Sequence, residues 1–406
     1  MRVVLLGPFG LRLKMTMARR ALPLARALAA GGHAVRVVLP PWDCPQDSGR
    51  SWREEDGVEV VNVRLPPMLP LLGHLWLTAR LLRSALGFRP DVIHCFKPKA
   101  YAGLAAVVLW AMQRLYLWRG RLVVDSDDWE GWGGWNEIGG YAPVQRRFFA
   151  WQERWGLTHA DALTVASRAL QTIAWSLGVP PHRVFYVPNG ITQHATRNTQ
   201  HDSQITNHKS QTSNPQSTTL LLYTRFFEFT LERVVEVLRR VQEKVPAMRV
   251  LVVGKGLFGE EKKLLALAAE AGLTEKVNYV GWVSSEELPH YFASADVAIY
   301  PYDDTLINRT KCSVKLIDLM AAGLPIVADD VGQNGVYIKH GTSGFLVEPG
   351  DTAAFAGAVI RLLKDHDLRE RLGGGARQRV RQYFTWDRLV DSVEAAYRLA
   401  RGETGD

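Results

Sequence analysis

The sequence has 406 residues, 47% of them hydrophobic, and carries 49 Lys and Arg against 41 Asp and Glu. This length allows two or three domains with sizeable cores. The three cysteines are far apart and odd in number, which argues against a disulfide framework and a zinc site and fits a reducing compartment. No run of 18 apolar residues occurs, and the first apolar run, 3–6, is too short for a signal peptide, so neither a spanning helix nor a leader is expected.

The positive charge is concentrated in the first half. Residues 1–190 hold 23 Lys and Arg against 14 Asp and Glu, whereas residues 191–406 hold 26 against 27. The first half is also rich in Trp. A basic surface with aromatic side chains suits an anionic membrane face, although a solvated basic surface over a Trp-rich core is the alternative. No recognised nucleic-acid motif accompanies the charge, so nucleic acid is not an expected partner.

Buried strands alternate with helices along the first half. Strands are predicted at 3–6, 33–39, 58–63, 91–95, 121–126, 162–165 and 184–187, and helices at 17–30, 69–86, 100–118, 144–157 and 167–177. This alternation is typical of a parallel sheet that is covered by helices on both faces.

The segment 194–219 interrupts the pattern. It is rich in Gln, Asn, Ser and Thr, and its only aliphatic residues are Ala195 and Ile205. Because it cannot bury a core, we predict a flexible linker or surface insertion over 191–219.

The strand–helix pattern then restarts. Strands are predicted at 220–224, 249–253, 277–280, 297–300, 326–328 and 345–347, and helices at 231–245, 260–271, 285–293, 352–363, 367–383 and 386–401. The sequence therefore predicts an α/β protein with two doubly wound, Rossmann-like domains, 1–190 and 220–385, that face each other across a cleft. The segment 386–406 is expected to pack back on the first domain.

The stretch 310–328 predicts an anion site. It reads as a loop, a helix start, an Ala-rich helix, Gly-Leu-Pro and a buried strand. A helix N-terminus presents backbone N–H groups and partial positive charge, and Lys311 and Lys315 lie beside it, so a phosphate or diphosphate is the predicted ligand. Asp318 indicates a neutral hydroxyl partner such as a ribose. The alternatives are a solvated first-turn lysine at 315 and an inert small residue at Cys312.

The order and spacing of several motifs resemble the nucleotide-sugar-binding domain of retaining glycosyltransferases of the GT-B fold, family 4 type. The resemblance covers 220–390 well and the first half more loosely, through Gly32-His33, Asp91-Val-Ile-His94 and Pro188-Asn-Gly190. The second-half motifs are Leu221-Leu-Tyr-Thr-Arg225, Val252-Val-Gly-Lys-Gly256, Tyr279-Val-Gly-Trp-Val-Ser284, 288–296, 318–328, His340-Gly-Thr-Ser-Gly-Phe-Leu-Val347 and Phe384-Thr-Trp386.

The resemblance implies a set of donor contacts. The amides of Cys312, Ser313 and Val314 should meet the diphosphate, and Asp318 the ribose. Loop residues at the ends of neighbouring strands should surround the rest of the donor, with the base flanked at 281–283. These residues are Gly254, Lys255, Gly281, Trp282, Val283 and Gly332, the last of which could equally be a plain turn glycine.

The sequence departs from the family at two donor positions. The family carries two glutamates eight positions apart, where this chain has Thr310 and Asp318. It also carries an Arg and a Lys about six residues apart that clamp the diphosphate. Arg225 matches the first, with a surface ion pair as the alternative, but Thr230 and Leu231 stand in place of the Lys. We predict that Lys311 or Lys315 substitutes for it, since the leaving group needs charge neutralisation.

The first half should hold the acceptor. Lys14, Thr16, His94 and Asp128 are acceptor-side candidates, although Lys14 and Thr16 could be simple loop residues and His94 could be structural. Asp127 occupies the place of a His that contacts the donor sugar in many relatives. The acidic run 125–130 could instead cap a helix or bind a divalent metal, but the resemblance implies no metal.

The resemblance implies transfer of a sugar, with a hexose favoured, from a UDP- or GDP-sugar to an envelope polysaccharide, lipid-linked or other glycan acceptor, with retained configuration and no cofactor. Arg225, Lys315 and Asp127 are the predicted catalytic residues. The expected location is cytoplasmic, at or near the inner membrane face. The alternatives are a GT-B nucleotide-sugar epimerase or phosphorylase and a catalytically silent nucleotide-sugar-binding scaffold.

Overall fold

The computed structural model describes residues 1–12, 14–67, 72–192 and 218–403, which group into two compact units. The first unit comprises the described residues of Met1–Gly190, Thr310–Cys312 and the C-terminal segment from Trp386. The second comprises those of Ile191–Arg309 and Ser313–Thr385. Most of the predicted linker, 193–217, and the start of the predicted helix 69–86 lie outside the described residues.

The first unit is built on a sheet of eight described strands in the order β3-β4-β2-β1-β5-β6-β7-β8. The strands are β1 (Arg2–Leu6), β2 (Ala34–Leu39), β3 (Ser51–Arg53), β4 (Glu59–Asn62), β5 (Val92–Phe96), β6 (Arg121–Ser126), β7 (Ala162–Val165) and β8 (Val184–Tyr186). All neighbours pair in parallel except β3, which runs antiparallel to β4 at the edge. Parallel pairing brings the carboxyl ends of these strands, and the loops after them, to one edge of the sheet.

Helices cover both faces of this sheet. They are α1 (Leu22–Ala30), α2 (Leu72–Gly87), α3 (Ala100–Arg114), α4 (Trp135–Ile138), α5 (Pro143–His159) and α6 (Arg168–Ser176), and a π-helical turn, Met17–Ala21, leads into α1. One core cluster joins α2, α3, α5 and α6 to the sheet, so these four helices share a face. The other face is covered by α1 and by the last helix of the chain, Trp386–Arg401.

That last helix is an integral part of the first unit's core. Val393 and Tyr397 are fully buried beside Val3 and Leu5 of β1. The segment therefore closes one face of a sheet whose strands lie some two hundred residues or more earlier in the chain.

The second unit contains a parallel sheet of six described strands in the order β11-β10-β9-β12-β13-β14. The strands are β9 (Thr219–Tyr223), β10 (Arg249–Val253), β11 (Val277–Gly281), β12 (Val297–Tyr300), β13 (Ile326–Asp329) and β14 (Phe345–Val347). Its helices are α7 (Leu231–Lys244), α8 (Glu260–Glu270), α9 (Leu288–Ala293), α10 (Leu306–Thr310), α11 (Val314–Ala321), α12 (Asn334–Tyr337), α13 (Thr352–Lys364) and α14 (His366–Tyr383); the last helix of the chain is α15 (Trp386–Arg401). The reversal of strand order between β9 and β12 leaves the loop after β9 at the position where such sheets bind ligands.

The predicted α/β class with two parallel sheets is confirmed, and the differences lie in short elements. The edge strand β3 and the short helices α4, α10 and α12 were not predicted. The predicted helix 100–118 ends at Arg114, because Leu115 caps it and the chain then turns. Within the residues that the structure describes, no helix combines the length and apolar character needed to cross a bilayer.

Candidate functional site

A buried carboxylate holds the loop that carries Arg225. The Oε2 atom of Glu228 accepts hydrogen bonds from Thr224 Oγ1 at 3.1 Å and from the Arg225 amide at 3.2 Å. Thr224 Oγ1 in turn accepts from the Phe226 amide at 2.9 Å, and Phe226 has a left-handed φ of 70°. This turn buries Phe226 and leaves the side chain of Arg225 exposed directly after β9.

Lys315 lies near the same strand end, although it belongs to a much later segment of the chain. It lies in the first turn of α11, and its Nζ atom is 5.0 Å from the centroid of the Tyr223 ring. Tyr223 is the last residue of β9, two positions before Arg225. The two predicted catalytic cations of the second unit therefore flank the carboxyl end of one strand.

The start of α11 is fixed by buried hydroxyl groups. The Tyr300 hydroxyl donates to Ser313 Oγ, and the hydroxyls of Tyr300 and Tyr302 are 2.9 Å apart. Burial raises the pKa of both tyrosines, which stay protonated as donors. The Ser313 hydroxyl is thus engaged by Tyr300 and does not cap the helix with its side chain. Val314 and Asp318 are half-buried on the helix that follows.

The residues just before α11 are less exposed than the sequence suggests. Thr310 and Cys312 are buried and Lys311 is half-buried. These three residues group with the first unit, where the Asn189 side-chain amide donates to the Cys312 carbonyl at 2.6 Å. Burial fits the interpretation of Cys312 as an inert small residue.

Two of the predicted donor glycines are required by their backbone surroundings. Gly254 has a φ of 131°, and a Cβ there would lie 1.9 Å from the Thr224 carbonyl oxygen. Its amide donates to the Gly281 carbonyl at 2.7 Å, which joins the ends of β10 and β11. Gly332 has a φ of 53°, and a Cβ there would lie 2.5 Å from the Arg309 carbonyl oxygen.

Beside these glycines, the predicted base-flanking residues form an open surface. The indole of Trp282 is 74% exposed, and Lys255 is exposed as well, whereas Val283 is half-buried. All three follow the carboxyl ends of strands in the second unit's sheet.

The two residues that stand in place of the family lysine have structural roles in this chain. Leu231 is buried in the core of the second unit. Thr230 Oγ1 donates to Asp303 at 2.6 Å, and Asp303 also pairs with Arg233 at 3.4 Å. The departure at 230–231 is therefore built into the packing of α7.

In the first unit, buried cations hold the acidic run 125–130, which begins near the end of β6. Arg20 binds Asp125 in a two-pronged contact, from Nε at 2.8 Å and from Nη2 at 2.6 Å, and also donates to Asn189 at 3.1 Å. Asp125 further accepts from Thr164 Oγ1 at 2.6 Å. The first carboxylate of the run is thus a structural anchor.

The remaining carboxylates surround Lys97. Its Nζ atom lies 3.3 Å from Asp127, 2.9 Å from Asp128 and 3.4 Å from Glu130. Lys99 pairs with Glu130 at 2.6 Å. Burial works to lower the pKa of Lys97, but the three carboxylates raise it well above its usual value, so the ammonium stays charged. We call Lys97, Lys99, Asp127, Asp128 and Glu130 the charged cluster.

Asp127 is buried and contacts both Lys97 and the predicted site residue Thr16. Burial raises its pKa to about 6, against the opposing effect of Lys97. The Thr16 hydroxyl donates to Asp127 Oδ2 at 2.9 Å, so the structure brings these two predicted site residues together. Helix capping by Asp127 or Asp128 is wrong, because α4 begins at Trp135 after Gly134. Among the described residues, no group of His, Cys, Asp and Glu is suited to hold a metal ion.

The other two acceptor-side candidates differ in access. Lys14 lies over the Trp42 ring, 4.3 Å from its centroid, and burial lowers the pKa of its amine. The structure corrects the prediction that His94 lies on the acceptor side. Its ring is fully buried between the Tyr397 hydroxyl at 2.9 Å and Thr164 Oγ1 at 3.0 Å, and burial lowers its pKa to about 4. A buried neutral imidazole cannot reach an acceptor, so His94 is structural.

Sequence reasoning missed Arg20, Lys97 and Lys99. The signal was present, since Lys97-Pro-Lys99 directly follows β5 and the acidic run follows β6, the neighbouring strand in register. Lys97 and Ala100 also have positive φ values of 49° and 51°, which are uncommon for residues other than glycine and concentrate at functional sites.

Two family models match the chain, one in each half. Residues 203–379 match the model described as glycosyl transferases group 1, and residues 16–190 match a glycosyl transferase 4-like domain. The chain belongs to the GT-B glycosyltransferases of the family 4 type. The predicted family and the prediction of a glycosyltransferase enzyme are confirmed.

Individual relatives agree with this assignment. An uncharacterized glycosyltransferase of Methanocaldococcus jannaschii is 23% identical over 93% of this chain and 92% of its own length. A phosphatidyl-myo-inositol mannosyltransferase of Mycobacterium leprae is 32% identical, but over only 39% of each chain.

Solved structures share the fold. The sucrose-phosphate synthase of Thermosynechococcus elongatus superposes with a TM-score of 0.69 at 20% identity and 98% coverage of both chains. The Anabaena protein HepE, solved in complex with UDP, gives 0.68 at 19% identity, with 97% of this chain and 98% of that chain covered. At these identities the likeness carries the fold alone.

Proposed function

We propose that this glycosyltransferase moves a hexose from a UDP- or GDP-sugar to an envelope polysaccharide, a lipid-linked acceptor or another glycan at the cytoplasmic side of the membrane, with retained configuration. The observation that carries the proposal is that Arg225 and Lys315 both lie at the carboxyl end of β9. Two cations at the carboxyl end of a parallel strand, beside a helix N-terminus, suit a diphosphate.

The donor would lie along the loops of the second unit. Its diphosphate would meet Arg225, Lys315 and the amides at 312–314, with Lys311 adding positive charge. Asp318, one turn into α11, would accept hydrogen bonds from the ribose hydroxyls. The base would lie against the exposed surface at 281–283, where the indole of Trp282 offers an aromatic face.

The rest of the donor pocket is proposed from backbone geometry. Gly254 and Gly332 lie where the backbone of neighbouring loops approaches closely, so they fix the loops that would border the sugar and phosphate. Lys255 and Thr310 complete the proposed set as polar neighbours. The proposal involves no cofactor besides the donor, because the cationic side chains neutralise the leaving group.

The proposed chemistry is front-face attack. The acceptor hydroxyl attacks the anomeric carbon on the face that the diphosphate leaves, the bond from that carbon to the diphosphate oxygen breaks, and the diphosphate takes the acceptor proton. The enzyme contributes positioning and stabilisation of the departing charge. Asp127, held by Thr16 and Lys97, would accept hydrogen bonds from a sugar hydroxyl, and Lys14, Thr16 and Asp128 are proposed to line the acceptor side.

Measured turnover tests the proposal directly. Release of UDP and GDP is followed from a panel of their sugars, with and without glycan and lipid-linked acceptors, and product configuration is read by NMR. Arg225→Ala should lower kcat by roughly 10²–10³-fold, as the loss of a transition-state charge contact does elsewhere. Arg225→Lys, which keeps a charge, should lose less.

Three outcomes would overturn the proposal. Near wild-type transfer by Arg225→Ala would remove Arg225 from the reaction. Tight donor binding without turnover across the whole panel would indicate a silent nucleotide-sugar-binding scaffold, a role that fits the uncharged Thr310 and the replacement of the family lysine at 230–231. A product that is an isomer of the donor would instead indicate an epimerase.

A further inference from the structure

Three neighbouring helices of the first unit carry an unusual charge pattern. Helices α2, α3 and α5 lie on one face of the sheet and contact one another in that order. Together they hold six arginines, namely Arg80, Arg83, Arg114, Arg146, Arg147 and Arg154. Their only acidic residue is Glu153, whose side chain is fully buried. The solvent-facing charge of these three helices is therefore entirely positive.

These arginines are not neutralised locally. Across the described ranges of the chain, none of the six takes part in an ion pair. The contrast is with α7 in the second unit, where Arg239 and Arg240 both pair with Glu236. A positive face without internal partners attracts an anionic surface over distances of about a Debye length.

The same face exposes large apolar side chains in the first turns of α2 and α5. Leu72 and Leu75 are 64% and 63% exposed, and Trp76 lies beside them. On α5, Val144, Phe148 and Trp151 follow at spacings of four and three residues, which places them on one side of the helix. Phe148 and Trp151 stack with their ring centroids 5.8 Å apart.

The position of these side chains in the fold relates them to the reaction. In a parallel sheet the helix after a strand begins at the carboxyl edge, so the first turns of α2 and α5 lie at the edge that also carries the charged cluster. His74 in the first turn of α2 and the Tyr101 hydroxyl in the first turn of α3 are hydrogen-bonded at 2.8 Å, which joins the starts of these two helices. An acceptor held by a surface against this edge would be presented to the first unit's candidate site.

We propose that the first turns of α2 and α5 dock on an anionic lipid bilayer, with Leu75, Trp76, Phe148 and Trp151 entering the headgroup boundary and Arg146 and Arg147 binding lipid phosphates. Exposed tryptophan and leucine with arginine and without acid is the composition that lies at such boundaries. The docking surface would bring the enzyme to the proposed membrane-side acceptor, and its biological purpose therefore rests on the proposed function. The lipid binding itself does not depend on the proposed reaction.

Vesicle co-sedimentation of the full chain tests the surface. Binding is measured to phosphatidylcholine vesicles with and without phosphatidylglycerol, at low and raised salt. We expect binding that needs phosphatidylglycerol and weakens with salt. The double variant Arg146→Glu/Arg147→Glu should weaken binding at least about tenfold, since each basic residue near an anionic surface contributes about 1 kcal/mol. Phe148→Ala/Trp151→Ala should weaken binding at both salt concentrations, because the contribution it removes is apolar and is not screened.

Matched controls lie on α14 of the second unit. Arg371→Glu/Arg381→Glu makes the same charge change at exposed positions, and Tyr383→Ala removes a half-exposed aromatic ring. These variants should bind vesicles as the wild type does. The proposal is overturned if the wild type does not bind anionic vesicles at low salt, or if the control variants lose as much binding as the α5 variants. It is also overturned if sedimentation velocity shows that the wild type self-associates and that the α5 variants lose binding because they break up this oligomer.

Donor turnover separates this inference from the proposed function. The α5 variants should release nucleotide from a soluble donor at the wild-type rate while losing vesicle binding. Loss of vesicle binding with intact turnover supports the docking surface. Wild-type vesicle binding together with no turnover of any donor would leave the docking surface standing and remove the proposed reaction.

Discussion

The two units use charge at their strand ends in different ways. In the first unit, Arg20 is buried against Asp125 near the end of β6 and Lys97 against the carboxylates that follow this strand, so acidic side chains neutralise both cations. In the second unit, the side chain of Arg225 is exposed at the end of β9. The turn that carries it is stabilised by the hydrogen bond from the Arg225 amide to the Glu228 carboxylate. The first arrangement fixes the shape of a loop, whereas the second presents a cation at the surface.

Similar sequence patterns, with charged residues at the end of a buried strand, therefore serve two purposes in this protein. The charged cluster should matter mainly for stability and for the position of Asp127. The cations around β9 should matter mainly for turnover. Substitutions that change stability and turnover separately therefore test whether the two units differ in this way.

The largest effect is expected from Lys97→Met. It removes the cation that three carboxylates share and leaves them buried and mutually repulsive. Breaking a buried ion pair by removing one partner costs about 3–5 kcal/mol, so urea or thermal unfolding should show a loss of that size. Lys262→Met, at an exposed position of α8, is the control and should change stability little. Equal losses in the two variants would contradict a structural role for the cluster.

A catalytic effect of similar size is expected from Lys315→Ala. If Lys315 replaces the family lysine, its loss should lower donor turnover by roughly 10²-fold while the unfolding midpoint changes little. Adding Thr230→Lys to this variant restores a lysine at the family position and should recover part of the activity. Unchanged turnover in Lys315→Ala would transfer the role to Lys311.

A pH-dependent effect is expected from Glu153→Gln. Burial raises the pKa of Glu153 from 4.5 to about 8, and the neighbouring charge of Glu130 adds to the shift. Because the folded state holds this proton more tightly than the unfolded state, stability from Glu153 is full below pH 4.5 and is lost as pH rises towards 8. The wild type should therefore lose roughly 3 kcal/mol relative to the variant by pH 7. Parallel pH–stability curves for the two proteins would contradict the shift.

The smallest effect is expected from Gly254→Ala. Ala at this φ, with a Cβ close to the Thr224 carbonyl, should cost about 1–3 kcal/mol and shift the loop that carries Arg225. Gly272→Ala is the control, because Gly272 also has a positive φ, 71°, but open space around its Cβ. Calorimetry with UDP and GDP should show weaker binding in the first variant alone, and equal affinities would separate Gly254 from the donor site.

Much of the fold could be predicted because buried parallel strands are continuous apolar runs. Val3–Leu6 and Ile326–Ala328 are of this kind, and the structure places strands there. The edge strand β3 could not be predicted, since Ser51, Trp52 and Arg53 are all exposed and carry no apolar alternation.

Site residues could be predicted where a single local motif contains them. They could not be predicted where the site depends on contacts between residues that are distant in the sequence. Arg225 and Lys315 came from motifs whose spacing is fixed along the chain. The charged cluster depends on the register between β5 and β6, which places Phe96 opposite Asp125, and sequence alone does not give that register. The sequence left both a structural and an acceptor-side role open for His94, because the Tyr397 hydroxyl that contacts its buried ring comes from about three hundred residues away.

That last contact has a consequence for how the protein is made. The sheet of the first unit is synthesised first, yet the helix that seals one of its faces, with Tyr397 against His94, leaves the ribosome only after the whole second unit. Synthesis normally lets an N-terminal domain fold before the next one appears. Here the first unit must wait with part of an apolar face uncovered, so chains truncated before residue 386 should bind holdase chaperones and be cut by protease, and chains that include residues 386–401 and have been released from the ribosome should be protected.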